Sequence, residues 1–146
     1  MASQNEARNE HDRMLAGELY DCGDPALLAR WHRAKDLTRA FAETASEDTA
    51  RKEALLRKLL GGFGEGLWIT PPFFVDYGAN IFFGDNFEVN LNCPFLDANV
   101  IRIGDNALIA PNVQIYTAFH PTNAPDRFGP LHADGGIPFC KTPSPP

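Results

Sequence analysis

A spacing of six residues recurs through the middle of this chain and constrains its fold more than any other feature. Two runs of apolar residues keep this spacing: Phe83, Val89, Phe95 and then Ile103, Ile109, Ile115. The two runs also share a sequence word, Phe-Gly-Asp-Asn at 83–86 and Ile-Gly-Asp-Asn at 103–106. A fixed short period predicts one small structural unit that stacks on copies of itself.

The turn residues around these runs predict a solenoid of short strands over residues 63–118. Glycine and asparagine recur at regular intervals, and both accept a positive φ, so each such word can form a corner. The corners leave strands of two or three residues, which can stack as the sides of a coil but cannot form an independent sheet. The second run begins at Ile103, two residues beyond the position that lies three six-residue intervals after Phe83. We therefore expect a small insertion in one coil, at 94–99.

The preceding stretch has a helical pattern. Asp24 followed by Pro25 predicts a helix start, with the aspartate as N-cap and the proline at the first helical position. Apolar and small residues then recur at spacings of three and four: Leu27, Trp31, Ala34, Thr38 and Phe41. Thr44 with Glu47 has the spacing of a capping box, which predicts the start of another helix that ends at the glycine pair 61–62.

Composition excludes several classes of protein. The 146 residues carry a formal net charge of −6, without any run of lysine and arginine, which argues against a nucleic-acid-binding surface. Cys22, Cys93 and Cys140 are widely separated, so we expect reduced thiols in an intracellular protein. The N-terminus lacks the apolar segment of a signal peptide, and no apolar run is long enough to span a bilayer. We therefore expect a cytoplasmic protein that binds neither nucleic acid nor membrane.

From about residue 119 the periodicity ends and prolines accumulate, which is typical of a loop followed by an unstructured terminus. We divide the chain into five stretches: a disordered N-terminus (1–10), a helical segment (11–62), the repeat coils (63–118), an active-site loop (119–138) and a divergent tail (139–146). The expected fold class is mainly β, a helical segment followed by a solenoid that is incomplete at its C-terminal end.

The order of several short words resembles one known family. The words are Met-Leu-Ala-Gly-Glu-Leu-Tyr at 14–20, Asp-Tyr-Gly-Ala-Asn-Ile at 76–81, Ile-Arg-Ile-Gly-Asp-Asn at 101–106, Ala-Pro-Asn-Val at 110–113 and Tyr-Thr-Ala-Phe-His-Pro at 116–121. In this order, behind a helical segment, they resemble the maltose/galactoside O-acetyltransferases, the sugar-acetylating branch of the hexapeptide-repeat transferases. The resemblance extends from about residue 11 to residue 138.

The resemblance implies a left-handed parallel β-helix of triangular section, assembled as a homotrimer with active sites between subunits. It implies transfer of an acetyl group from acetyl-CoA to a sugar hydroxyl, without a metal. His120 corresponds to the family's catalytic histidine, and Asn90 to an asparagine that contacts the acceptor. Leu108 corresponds to the apolar position beside the sugar, and Asp76 lies where further acceptor contacts occur.

The chemistry of the reaction suits a histidine. A sugar hydroxyl is a poor nucleophile, and a neutral imidazole can take its proton during attack on a thioester. A lone histidine is more often structural or solvated than catalytic, but the coil context of His120 favours catalysis. Asn90 remains open between substrate contact and a purely structural role at a corner. His11, His32 and His132 show no metal-ligand spacing, so we interpret them as surface residues.

The resemblance also predicts a departure from the family. Its members continue after the histidine loop with further coils, which supply the groove for acetyl-CoA, whereas residues 139–146 continue no repeat here. Residues that bind acetyl-CoA are therefore left unassigned. The alternative hypothesis is a truncated, non-catalytic family member that acts at most as an interaction partner of intact subunits.

Overall fold

The structure is a computed structural model of the chain and describes residues 8–120 and residue 122. Three helices come first: α1 (Glu10–Leu15), α2 (Pro25–Glu43) and α3 (Thr49–Leu59). Nine short strands follow: β1 (Gly62–Phe63), β2 (Trp68–Ile69), β3 (Phe73–Val75), β4 (Ile81–Phe83), β5 (Glu88–Val89), β6 (Cys93–Leu96), β7 (Ile101–Ile103), β8 (Leu108–Ile109) and β9 (Ile115–Tyr116). Most of the predicted loop at 119–138, and the predicted tail, lie outside the described residues.

The strands form a three-sided parallel solenoid. They pair in three parallel sheets, β1-β4-β7, β2-β5-β8 and β3-β6-β9, so each coil contributes one strand to each side. In every strand pair the partner residues lie one coil apart in sequence. Phe63, Phe83 and Ile103 are stacked in this way. The predicted stacked coils are thereby confirmed.

The length of the coils differs from the prediction of a single insertion. The inward residues Phe63, Ile69 and Val75 already keep the six-residue spacing before Phe83, so a further coil precedes the first predicted run. In both coils the third interval is two positions longer than the others. The extra pair lies at the corner 76–80 in one coil and 96–100 in the next. The insertion predicted at 94–99 is therefore one of two stacked long corners, here called the third corner of each coil.

The core lies inside the solenoid and under two helices. Phe83, Val89 and Phe95 are buried, and the Phe83 ring stacks on Phe87 at 4.2 Å between centroids. The corresponding isoleucines of the last described coil are half-buried and pack against the same core. Phe41 of α2 and three leucines of α3 and its end join this core: Leu56, Leu59 and Leu60. A smaller cluster at the third corner holds α1 and the start of α2 in place: Met14, Tyr20, Leu27 and Ala98.

The two long helices begin at aspartates. Asp24 accepts hydrogen bonds from the backbone of Ala26 and Leu27, which confirms the predicted start of α2. The predicted capping box for α3 is wrong, because Asp48 is its N-cap. Thr44 instead ends α2, where its hydroxyl donates to the Ala40 carbonyl at 2.7 Å. Such a carbonyl in the last turn of a helix lacks a partner within the helix, which accounts for the role of the threonine.

Asparagine and glycine serve the corners for different reasons. Four asparagines adopt a positive φ: Asn86, Asn92, Asn106 and Asn112. Gly84 does not adopt a positive φ. A glycine is needed there because a Cβ would lie 2.7 Å from the Asp105 backbone nitrogen of the next coil. The space it leaves admits the Asp105 carboxylate, which accepts a hydrogen bond from the backbone of Asp85 at 2.8 Å. Gly84 therefore permits close stacking of adjacent corners.

We expect Gly84→Ala to lower the free energy of unfolding by about 1–3 kcal/mol, because the added methyl group forces adjacent coils apart. Gly104→Ala is the matched control, since it occupies the same place in the repeated word and a Cβ there meets nothing within 4 Å among the described residues. Urea unfolding of both variants measures the difference. Equal stability of the two variants would contradict the steric explanation for Gly84.

Candidate functional site

A cleft of about 480 Å³ lies between the helical segment and the stacked third corners. On the helical side it is lined by residues of α2, among them Leu28, Trp31 and His32. On the coil side it is lined by Asp76, which follows β3 at a third corner, and by His120, which follows β9. The structure thus brings two of the four predicted site residues, Asp76 and His120, to one cleft.

The position of His120 follows from the coil register. It lies one coil after Val100 and therefore belongs to the third corner of the last described coil. Thr117 fixes the start of this corner: its backbone N–H donates to the Leu96 carbonyl at 3.0 Å, and its hydroxyl accepts from the Asn99 backbone at 2.8 Å. The His120 side chain is exposed, and within residues 8–120 no group hydrogen-bonds to its ring. The corner therefore positions the histidine through its backbone.

Asp76 is held from the side by Lys35 of α2. The Lys35 Nζ donates to the Val75 carbonyl and lies 3.7 Å from Asp76 Oδ1. The same ammonium lies 4.6 Å from the centre of the Trp31 ring, a cation–π contact. Because both charged side chains are partly exposed, the ion pair adds little stability. Its main effect is to orient the Asp76 carboxylate and to attach α2 to the corner.

Asp97 holds the same corner from the next coil. Its side chain is fully buried and accepts hydrogen bonds from the backbone N–H groups of Asp76 at 3.0 Å, Tyr77 at 2.8 Å and Asn80 at 3.3 Å. Burial raises the pKa of the Asp97 carboxyl to about 6, although hydrogen bonds from the backbone, among them those of Tyr77 and Asn80, oppose the rise. Asp97 was not among the predicted site residues, although its offset of one coil from Tyr77 is a signal that could have identified it.

Asn90 and Leu108 lie elsewhere on the solenoid. Asn90 lies between β5 and β6, at what is here called the second corner of its coil. Its Oδ1 accepts from the Leu91 backbone at 2.8 Å, and its own N–H donates to the Ile109 carbonyl. These bonds fit the structural role at a corner, and the contact of Asn90 with a substrate stays a prediction. Leu108 faces outward from β8 and is 76% exposed. Within the described part of one chain, neither residue lines the cleft that contains His120.

Two further residues of the cleft were not predicted as site residues. His32, interpreted from sequence as a surface residue, is exposed and lines the cleft beside Trp31, whose ring it meets edge-on at 5.1 Å. Cys22 lines the cleft as well and is not in a disulfide. Cys93 is buried inside the coil, as its position in the period predicts.

The described residues contain neither a cluster of metal ligands nor a membrane-spanning helix. Within 8–120 no cluster of three or more histidine, cysteine, aspartate or glutamate side chains could hold a metal ion. No helix in the same part of the chain is long and apolar enough to cross a membrane.

The stacked three-sided coils behind the helical segment define a hexapeptide-repeat protein. A family model described as the maltose acetyltransferase hexapeptide capping motif matches residues 13–64. The crystal structure of a maltose O-acetyltransferase from Clostridium difficile 630 is 38% identical, with a TM-score of 0.79. That match covers 93% of this chain and 68% of the other.

Two further comparisons agree. A galactoside acetyltransferase in complex with coenzyme A matches with a TM-score of 0.80 and 29% identity, over 92% of this chain and 64% of the other. Nodulation protein L of Rhizobium leguminosarum bv. viciae is 39% identical over 120 residues, which are 82% of this chain. The chain spans 63% of the length of that relative. It belongs to the maltose/galactoside O-acetyltransferase family, and its solenoid is the predicted left-handed parallel β-helix.

The raised pKa of Asp97 predicts a specific pH dependence of stability. Its pKa is higher in the folded protein than in the unfolded chain, so the stability it contributes is complete below about pH 4 and is lost as the pH rises through about 6. Relative to Asp97→Asn, the wild type should lose up to about 3 kcal/mol of unfolding free energy across that range. Urea unfolding at several pH values measures the difference, and parallel pH curves for the two proteins would contradict it.

Proposed function

We propose that this protein transfers an acetyl group from acetyl-CoA to a hydroxyl of a sugar, with His120 as the general base. The observation that carries the proposal is the meeting of His120 and Asp76 in one cleft of an acetyltransferase fold. The structural relatives support the reaction, since one is named a maltose O-acetyltransferase and another a galactoside acetyltransferase in complex with coenzyme A.

His120 supplies the proton acceptor. A neutral imidazole near neutral pH can take the proton of a sugar hydroxyl as its oxygen attacks an acyl carbon. The ring is exposed in the cleft, so a bound hydroxyl has direct access to it. Asp76 accepts a hydrogen bond from a second hydroxyl of the sugar, in the orientation that Lys35 and Asp97 impose on the corner. The two side chains together select the hydroxyl that reacts.

Acetyl-CoA enters the proposal as a substrate that supplies the acetyl group. The charges of the cleft fit an uncharged acceptor better than the phosphates of the donor, because no lysine or arginine among the described residues lines it. We therefore assign the cleft to the sugar and assign no described residue to the nucleotide part of the donor. A cytoplasmic location is part of the proposal, since Cys93 is a buried thiol of the kind that reducing compartments maintain.

We also propose a homotrimer in which each site lies between two subunits. Asn90 lies at the second corner, and Leu108 lies beside it on β8. Both are away from the His120 cleft of the same chain. Several apolar side chains are exposed on the two sides of the solenoid that meet at this corner: Trp68, Phe74, Leu91, Leu108 and Tyr116. Exposed apolar side chains gathered in this way favour association. A cyclic arrangement can bring the second corner of one subunit to the cleft of the next.

We expect His120→Ala to lower kcat by roughly 10²–10⁴-fold, because a positioned general base contributes about that factor. Acetyl-CoA-dependent acetylation of glucosides, maltose and galactosides by the full chain measures the effect. His11→Ala is the control, since His11 lies on α1 outside the cleft. Unchanged kcat in His120→Ala together with loss in His32→Ala would transfer the role of base to His32. Absence of acetylation by the wild type with every acceptor would favour the non-catalytic alternative.

The shared-site proposal predicts complementation between two inactive variants. His120→Ala and Asn90→Ala each lose activity alone, since every site in a trimer of one variant lacks one residue. In co-expressed mixtures about a quarter of the sites combine His120 from one subunit with Asn90 from the next. We therefore expect about a quarter of the wild-type activity, with a particle mass of three chains. Activity no higher than the sum of the separate variants would place the site within one chain.

A further inference from the structure

A second cavity, of about 240 Å³, lies between α3 and the first coil. On the coil side it is lined by β1, by the corner that follows β1 and by β2. The buried side chains of Phe41 and Ile69 form part of an apolar base. It shares no described lining residue with the cleft that contains His120. One face of α3 lines it on the helical side, with residues three or four positions apart: Thr49, Lys52, Glu53, Leu56 and Arg57.

Lys52 brings an ammonium group without a carboxylate partner to this cavity. The residue is half-buried, and among the described residues it forms no ion pair with an aspartate or glutamate. Its Nζ lies 3.4 Å from the Ser46 carbonyl oxygen, a long hydrogen bond, and 5.9 Å from the centre of the Phe41 ring. An ammonium has three donors, and partial burial strengthens its attraction to a negative charge. Lys52 therefore favours an anionic ligand.

Arg57 forms a flat, preformed surface in the same cavity. Its guanidinium lies 3.8 Å from the centre of the Phe63 ring and donates to the Phe63 carbonyl at 2.9 Å. It also donates to Glu53 Oε1 at 3.2 Å, which fixes its orientation further. A guanidinium stacks on aromatic rings and has two faces. Because Phe63 covers one face, the other can take an aromatic ring of a ligand.

The remaining charges of the cavity favour a single negative charge on the ligand. Glu53 is paired with Arg57, so these two charges offset each other. Glu65, the other carboxylate of the lining, is exposed, so water and salt screen its field. One unpaired ammonium then matches the single charge of a carboxylate, whereas a phosphate monoester carries more than one charge near neutral pH.

The dimensions of the cavity limit the ligand to about one ring. Its volume of about 240 Å³ equals that of roughly eight water molecules in the liquid. Lys52 and Arg57 lie five positions apart on α3, which is about 7.5 Å along the helix axis. A phenyl ring joined to a carboxylate through a short carbon link has a comparable length.

We propose that this cavity binds a small aromatic carboxylate. The carboxylate accepts hydrogen bonds from the Lys52 ammonium, and the ring lies on the free face of the Arg57 guanidinium, above the apolar base. The site is separate from the cleft assigned to acetyl transfer, and binding there does not depend on the proposed reaction.

The test is calorimetric titration of the full chain with phenylacetate, phenylacetamide and cyclohexylacetate. Phenylacetate should bind saturably at millimolar concentration, with one ligand per chain. Phenylacetamide should bind at least about tenfold more weakly, because it lacks the charge that Lys52 favours. Cyclohexylacetate should bind about two- to fivefold more weakly, because it has no π face to stack on Arg57. Absence of saturable phenylacetate binding, or equal Kd values for phenylacetate and either analogue, would overturn the proposal.

Matched variants locate the charge that holds the ligand. Lys52→Met should raise the Kd of phenylacetate at least about tenfold, whereas Lys52→Arg should retain most of the binding. Lys58→Met is the control, because it removes the same charge from α3 and Lys58 does not line the cavity. Equal increases in Kd for Lys52→Met and Lys58→Met would overturn the assignment. The amide comparison tests the same contact in the unaltered chain, whatever the stability of the variants.

Tryptophan fluorescence distinguishes the two cavities. The chain has two tryptophans, of which Trp68 lines this cavity and Trp31 lines the cleft that contains His120. In Trp31→Phe, phenylacetate should change the emission of Trp68 with the same Kd as in calorimetry. In Trp68→Phe, the emission of Trp31 should stay constant. A change in the emission of Trp31 alone would place the ligand in the other cleft and overturn the proposal.

Discussion

The backbone ladder between coils, with its constant offset from strand to strand, determines the rest of the structure. Each residue lies above its counterpart in the preceding coil, so side chains form columns along the solenoid. At the third corner the column Tyr77, Asp97, Thr117 joins three coils: Asp97 accepts from the backbone of Tyr77, and Thr117 bonds to the turn that follows Asp97. The cleft is built on this column, so the ladder places Asp76 and His120 on one edge.

The sequence predicted the parts of this arrangement that depend on local patterns. The six-residue spacing identified the coils, and Asp24 with Pro25 identified the start of α2. It did not predict Asp97, because a buried aspartate is favourable only when backbone donors surround it, and those donors come from the preceding coil. His32 was missed for a related reason, since the absence of metal-ligand spacing says nothing about which cleft a side chain lines. Such contacts between distant segments leave no local periodicity.

The two pairs of predicted site residues illustrate a different limit. The family resemblance assigns Asp76, His120, Asn90 and Leu108 to one site, yet one chain carries the first two at its third corner and the other two at or beside its second. A triangular solenoid keeps its corners apart by the width of a side, and no local rearrangement brings them together while the ladders persist. A shared site therefore requires a second copy, which is why the proposed assembly and the proposed chemistry depend on each other.

The two sides of the cleft, the coil corner and α2, are held in place by different contacts. The residues proposed to act on the hydroxyl lie on the coil corner, where Asp97 and the ladder fix the backbone. Leu28 and Trp31 lie on a helix whose attachment depends on other side chains, Leu27, Ala34 and Phe41, all of them buried. The exposed Leu28 can therefore change without loss of the core.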